Sequence, residues 1–139
     1  MTATCICGAV EISIVSRPEF IHDCNCSLCR KTGAAWGYFT GAQVTTKGET
    51  ETFVRRDKSG AAAQVHSCRV CATTTHFDLT EAFKADNPAA DQVGVNMRMF
   101  EPHLLEGVEV RYPDGANWAG QGAFGYRREP MTITAMQPL

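Results

Sequence analysis

The chain reads as a mainly β protein assembled from short hairpins, and three observations predict that class. Apolar residues recur at every second position in several short stretches, which is the period of a half-buried strand. Glycines, prolines and small polar residues punctuate the chain between those stretches. Helical periodicity is scarce, and what remains spans about one turn at a time.

In chain order, Val10, Ile12 and Ile14 alternate with Glu11 and Ser13, which predicts a strand with one wet face. Ala35 to Thr40, with Trp36, Tyr38 and Phe39, predicts another. Val44 to Thr46 and Thr52 to Arg55 flank Lys47-Gly48 and read as a hairpin. Lys58-Ser59-Gly60 makes the next turn. Ala63 to Ser67 leads a strand into Cys68, and Thr75 to Leu79 leads one away. Val93, Val95, Met97 and Met99 alternate with Gly94, Asn96 and Arg98, predicting a strand over 93–99. Val108 to Tyr112 follows, before a Pro113-Asp114-Gly115 turn. Short helical turns are expected at Ser27 to Lys31 and at Glu101 to Glu106, where Pro102 starts the turn and Gly107 stops it. Gly120 to Leu139 reads as partly irregular.

The chain has 139 residues, which predicts one domain over 1–139. Its formal net charge is −2, so the basic footprint of a nucleic-acid binder is absent. Arg55, Arg56 and Lys58 read as a solvated turn. No apolar run approaches the roughly 20 residues of a membrane span. Met1 to Ser16 lacks a basic stretch followed by a long apolar one, so a cytoplasmic location is expected. In a reducing compartment, clustered cysteines point to metal rather than to disulfides.

The seven cysteines fall into three tight clusters: Cys5-Ile6-Cys7, Cys24-Asn25-Cys26-Ser27-Leu28-Cys29 and Cys68-Arg69-Val70-Cys71. Zinc takes sulfurs at tetrahedral corners, and one short segment can supply two of them. In an extended Cys5-Ile6-Cys7 segment both thiols leave one face while Ile6 leaves the other. Cys68 and Cys71 have the turn spacing of a zinc knuckle. The two pairs complete a four-sulfur structural site.

The triplet supplies three sulfurs from six residues, which leaves a fourth position. Three readings stay open for it. Water or substrate fills it, making a catalytic site. A protein group such as His22, Asp23, His66 or His76 closes it, making a structural one. Alternatively, the triplet shares ligands with Cys68 and Cys71. Three thiolates already quench much of the ion's charge, so an open corner suits a soft sulfur ligand and points to thiol chemistry before hydrolysis.

These motifs resemble the glutathione-dependent formaldehyde-activating enzyme family and its centromere-protein-V relatives. The resemblance rests on Cys5-Ile6-Cys7-Gly8, on Cys24 to Cys29 followed by Arg30-Lys31, and on Cys68 to Cys71. It implies a tent-like arrangement of short antiparallel sheets around two zinc ions. It implies that Cys5, Cys7, Cys68 and Cys71 hold a structural zinc, and that Cys24, Cys26 and Cys29 hold a catalytic one. The implied activity is that of a carbon–sulfur lyase acting on a small glutathione-like thiol and an aldehyde, formaldehyde in the founding reaction, or on their S-hydroxyalkyl adduct. One departure stands out: Ala72 occupies the place after the last cysteine where the family carries glycine.

Other residues have narrower expectations. His22 and Asp23 read as hydrogen-bonding neighbours of the triplet, with a proton relay as the sharper alternative. Arg30 and Lys31 balance thiolate charge, hold a substrate carboxylate, or face solvent. His66 reads as a satisfied, partly buried histidine, and Trp36, Tyr38 and Phe39 as core. Arg98 is expected to pair with an acid, and Trp118 to sit near a pocket. A second functional class, a non-catalytic zinc-stabilised binding module, follows if a protein side chain closes the triplet's fourth position.

Overall fold

A computed structural model describes residues 1–139. Alternating burial builds the first layer. β1 (Thr2–Thr4) pairs antiparallel with β2 (Glu11–Ile14), placing Ala3 opposite Ile12. Ile12 and Ile14 turn inward while Glu11 and Ser13 stay half-buried. Fully burying a side chain such as Ile12 contributes roughly 1.5–3 kcal/mol.

β3 (Phe20–His22) runs into the cysteine triplet, and α1 (Ser27–Thr32) leaves it. β4 (Trp36–Phe39), β5 (Val44–Lys47) and β6 (Thr50–Val54) follow. β7 (Ala63–Cys68) and β8 (Thr74–Leu79) flank the last cysteine pair. Then come α2 (Glu81–Asp86), β9 (Val93–Asn96), β10 (Glu109–Arg111) and β11 (Met131–Thr132). The strands form a three-stranded sheet, β1-β2-β5, and an eight-stranded one, β11-β10-β3-β4-β9-β8-β7-β6. The class is mainly β, as expected. All pairs are antiparallel except β3 with β10, which is parallel. One core cluster gathers Ile12, Ile21, Val95, Met97, Leu105 and Val110 with Cys5 and Cys68. A smaller one packs Cys29 with Trp36, Val65 and Phe77.

The expected hairpin across Lys47-Gly48 does not form. β5 pairs with β2, placing Val44 opposite Ile14, whereas β6 pairs with β7, placing Thr50 opposite Cys68. The chain changes sheets at Gly48, whose φ is +95° and where a Cβ would fall 2.0 Å from Ala9 O. A left-handed turn that tight admits glycine only.

The strand expected over 93–99 stops at Asn96, and Met97–Met99 is a 3-10 turn. Asn96 explains the stop. Its carboxamide accepts from Arg98 N at 3.2 Å and Ala35 N at 3.3 Å, and donates to Thr74 O at 2.8 Å. A side chain that satisfies backbone groups this way replaces the strand ladder. The expected turn at Glu101 to Glu106 is a 3-10 helix over Pro102–Leu105. Sequence reasoning missed β1, β3, β11 and α2. α2 carried one readable signal, Thr80 as N-cap, whose hydroxyl accepts from Phe83 N at 3.2 Å.

Candidate metal centre

The structure brings the seven thiols into two groups. Cys5, Cys7, Cys68 and Cys71 form one, and Cys24, Cys26 and Cys29 the other; within each, the sulfurs lie within 4.8 Å of one another. The two groups share no ligand. All seven cysteines are free thiols.

Within the first group Sγ of Cys5 is 3.5 Å from Sγ of Cys7, which is 3.7 Å from Sγ of Cys68. Tetrahedral zinc with bonds of about 2.3 Å needs sulfurs about 3.8 Å apart, whereas a disulfide needs about 2.05 Å. The geometry therefore fits a metal and not a cross-link. Cys5 and Cys7 reach the site from the turn after β1 rather than from an extended segment, and Ile6 points outward at 90% exposure. Cys68 ends β7, and Cys71 lies in the turn to β8. Backbone N–H groups are aimed at sulfur: Val10 N donates to Cys5 at 3.3 Å and Val70 N to Cys68 at 3.4 Å. The Thr73 hydroxyl lies 3.1 Å from Cys71 Sγ, and its hydrogen bond holds that thiol down near 5. Donors that favour the thiolate are what a cation site requires.

In the second group, Cys24 and Cys26 follow the end of β3, and Cys29 lies on α1. Cys26 is the N-cap of α1: Cys29 N donates to its sulfur at 3.5 Å, and the two sulfurs are 3.4 Å apart. Cys26 N donates to Cys24 Sγ at 3.4 Å. Hydrogen bonds from Cys24 and Cys29 push the Cys26 thiol strongly down, while Cys24 and Cys26 push the Cys29 thiol strongly up. One thiolate thus suppresses the next, so all three ionise together only around a cation.

Four residues bear on this group without having been singled out for it. The Trp36 indole, expected only to pack, is 2% exposed and donates through Nε1 to Cys29 Sγ at 3.2 Å. Gly115 lies directly over the triplet: a Cβ there would collide with Cys24 Sγ and come within 3.0 Å of Cys26 Cβ. Asn25 anchors that crossing, donating to Asp114 at 2.7 Å and accepting from Ala116 N at 2.9 Å. Arg55 was read as part of a solvated turn, but its side chain is 14% exposed and donates to Ser27 Oγ at 2.6 Å. Asp57 receives the same guanidinium at 2.6 and 2.8 Å.

The other expected residues are placed as follows. His22 Nδ1 meets the Tyr38 hydroxyl at 3.0 Å, while its Nε2 is buried without a partner. Burial lowers the His22 pKa to about 4 and raises that of Tyr38, so both rings are neutral near pH 7. Asp23 pairs with Arg98 at 3.2 Å, the acid expected for that arginine. His66 meets Asp78 at 3.0 Å and stacks on His76 at 4.1 Å. Phe39 is core, and Arg30 and Lys31 lie exposed in the last turn of α1. Trp118 bonds Gly122 O at 3.1 Å and packs on Phe124. No His, Asp or Glu joins either cysteine group.

A crystal structure of a Rhodobacter sphaeroides protein is similar to this chain. It is 26% identical, with a TM-score of 0.56, and the match covers 73% of this chain and 88% of that one. No curated protein matches. No helix is long and apolar enough to cross a membrane. The family model described as glutathione-dependent formaldehyde-activating enzyme matches residues 1–104, a span that contains both cysteine groups. With its two thiol clusters inside the matched span, the chain belongs to the glutathione-dependent formaldehyde-activating enzyme family.

Proposed function

We propose that the protein is a zinc-dependent enzyme of the carbon–sulfur lyase type. It joins a small thiol to an aldehyde, or splits their S-hydroxyalkyl adduct. The observation that carries this reading is a three-thiol cluster with no fourth His, Cys, Asp or Glu in reach. Zinc bound there supplies a positive charge that lowers the pKa of a thiol arriving at the free position.

Every other contribution comes from the chain. Cys24, Cys26 and Cys29 hold the ion, and the Trp36 N–H draws charge from the Cys29 sulfur. Gly115 keeps its backbone close over Cys24 and leaves no side chain in the way. Tyr38 stays protonated and can only donate or accept a hydrogen bond. In the forward reaction the S–C bond forms as the carbonyl π bond opens, and the thiol proton ends on oxygen. The four-cysteine group is assigned the structural zinc, giving two ions in a single cytoplasmic domain over 1–139. The alternative, a non-catalytic binding module, needs a protein donor at the triplet. His22, His66 and His76 instead engage Tyr38, Asp78 and Thr75.

NMR detection of S-hydroxymethylglutathione from formaldehyde and glutathione tests the reading. Zinc-loaded protein is expected to exceed the spontaneous rate, and chelator or Cys26→Ser to return it to background. A zinc-loaded protein that adds nothing to the spontaneous rate would remove the lyase assignment.

A further inference from the structure

A groove of about 1000 Å3 runs between α1 and the end of β6, with Ser27, Leu28, Lys31, Phe53, Arg55 and Arg56 in its lining. Ser27 and Leu28 lie between Cys26 and Cys29, so the turn that carries the triplet is also a wall of the groove. A volume of this size accommodates a ligand as large as a short peptide.

The cations in the groove have different standing. Arg55 is fixed by Asp57 and Ser27, and its charge is matched by the Asp57 carboxylate. Lys31 and Arg56 are exposed and take part in no ion pair. Asp57 is the groove's one acid, and it is committed to Arg55. Phe53, 45% exposed, and Leu28 give the groove apolar surface beside these charges. Two unmatched cations next to apolar surface suit a ligand with an uncharged body and an anionic end.

We infer that this groove is the subsite for a carboxylate carried by the thiol substrate, with Lys31 and Arg56 as the residues that select it. The inference rests on the proposed thiol chemistry and narrows its substrate class. The sulfur goes to the triplet, the body lies along Leu28 and Phe53, and the carboxylate reaches Lys31 and Arg56. A thiol without a carboxylate uses the triplet and gains nothing from the groove.

The test uses the zinc-loaded protein and the Lys31→Gln/Arg56→Gln double variant, with zinc content and thermal midpoint as fold controls. S-methylglutathione, which keeps both carboxylates and lacks a free thiol, is titrated into each by calorimetry. Its Kd is expected to rise about tenfold in the double variant and to rise with added salt in the parent. Its diethyl ester should bind the parent as weakly as the acid binds the variant. In turnover, KM for glutathione should rise about tenfold, with kcat and the kinetics of 2-mercaptoethanol unchanged. Equal binding by parent and variant, or no binding to the parent, overturns the groove. An equal loss with both thiols overturns it as well. If neither thiol turns over while the binding pattern holds, the lyase reading falls and the groove stands.

Discussion

Ala72 sits at φ +59°, the one non-glycine residue of the chain with a positive φ. Its N–H closes the turn onto Cys68 O at 2.9 Å, so the conformation is imposed by the geometry of the last cysteine pair. A side chain in the left-handed region costs about 1–2 kcal/mol, offset in part by the greater freedom glycine has when unfolded. Ala72→Gly is expected to stabilise the zinc-loaded protein by about 1 kcal/mol, read as a higher urea midpoint with an unchanged slope. A lower midpoint would show that the Ala72 methyl contributes more than its backbone costs. Sequence comparison with the family pattern had already marked this position, because glycine is what the turn asks for. Trp36 and Gly115 carried no such mark. Their contacts with Cys29 and Cys24 depend on β4 and on a crossing loop that no local pattern reveals.

Two strands carry a second cluster of titratable groups, with His76 buried among them. β7 and β8 place His66 opposite His76, ring on ring, with Asp78 bonded to His66. Burial first, and the His66 charge second, depress the His76 pKa from 6.5 to about 4. The unfolded chain therefore takes up a proton between pH 6.5 and 4 that the folded one refuses. Stability from this group is complete above 6.5 and is lost as pH falls towards 4. Acid also releases zinc from thiolates, so the informative quantity is a difference between proteins. From pH 7.5 to 5, the parent should lose about 1–2 kcal/mol more than His76→Gln. Parallel losses in the two proteins would show that His76 titrates normally. At this scale the sequence was readable where alternation was local, as in β2, whose burial alternates residue by residue. It misled where partner choice was long-range: β5 and β6 look like a hairpin, yet each joins a different sheet. The parallel pairing of β3 with β10 likewise leaves no trace in either strand.

Across the whole molecule, the two thiol groups tie together parts of the chain that are far apart in sequence. Cys7 and Cys68 are 61 positions apart and their sulfurs 3.7 Å apart. Loop closure of that length costs a few kcal/mol, against apparent zinc binding of about 10–16 kcal/mol in small metal domains. Cysteine spacing made both groups legible, because each segment supplies two or three donors within a few residues. The cover over the triplet was not legible, since Asn25 and Asp114 meet across 89 positions.

Zinc bound per chain, counted by native mass spectrometry in the parent and in Cys29→Ser, tests the account at its centre. Two ions in the parent, and one in a variant that keeps the parent's far-ultraviolet circular dichroism, is the expected result. A single ion in the parent, or loss of both ions from the variant, would contradict it.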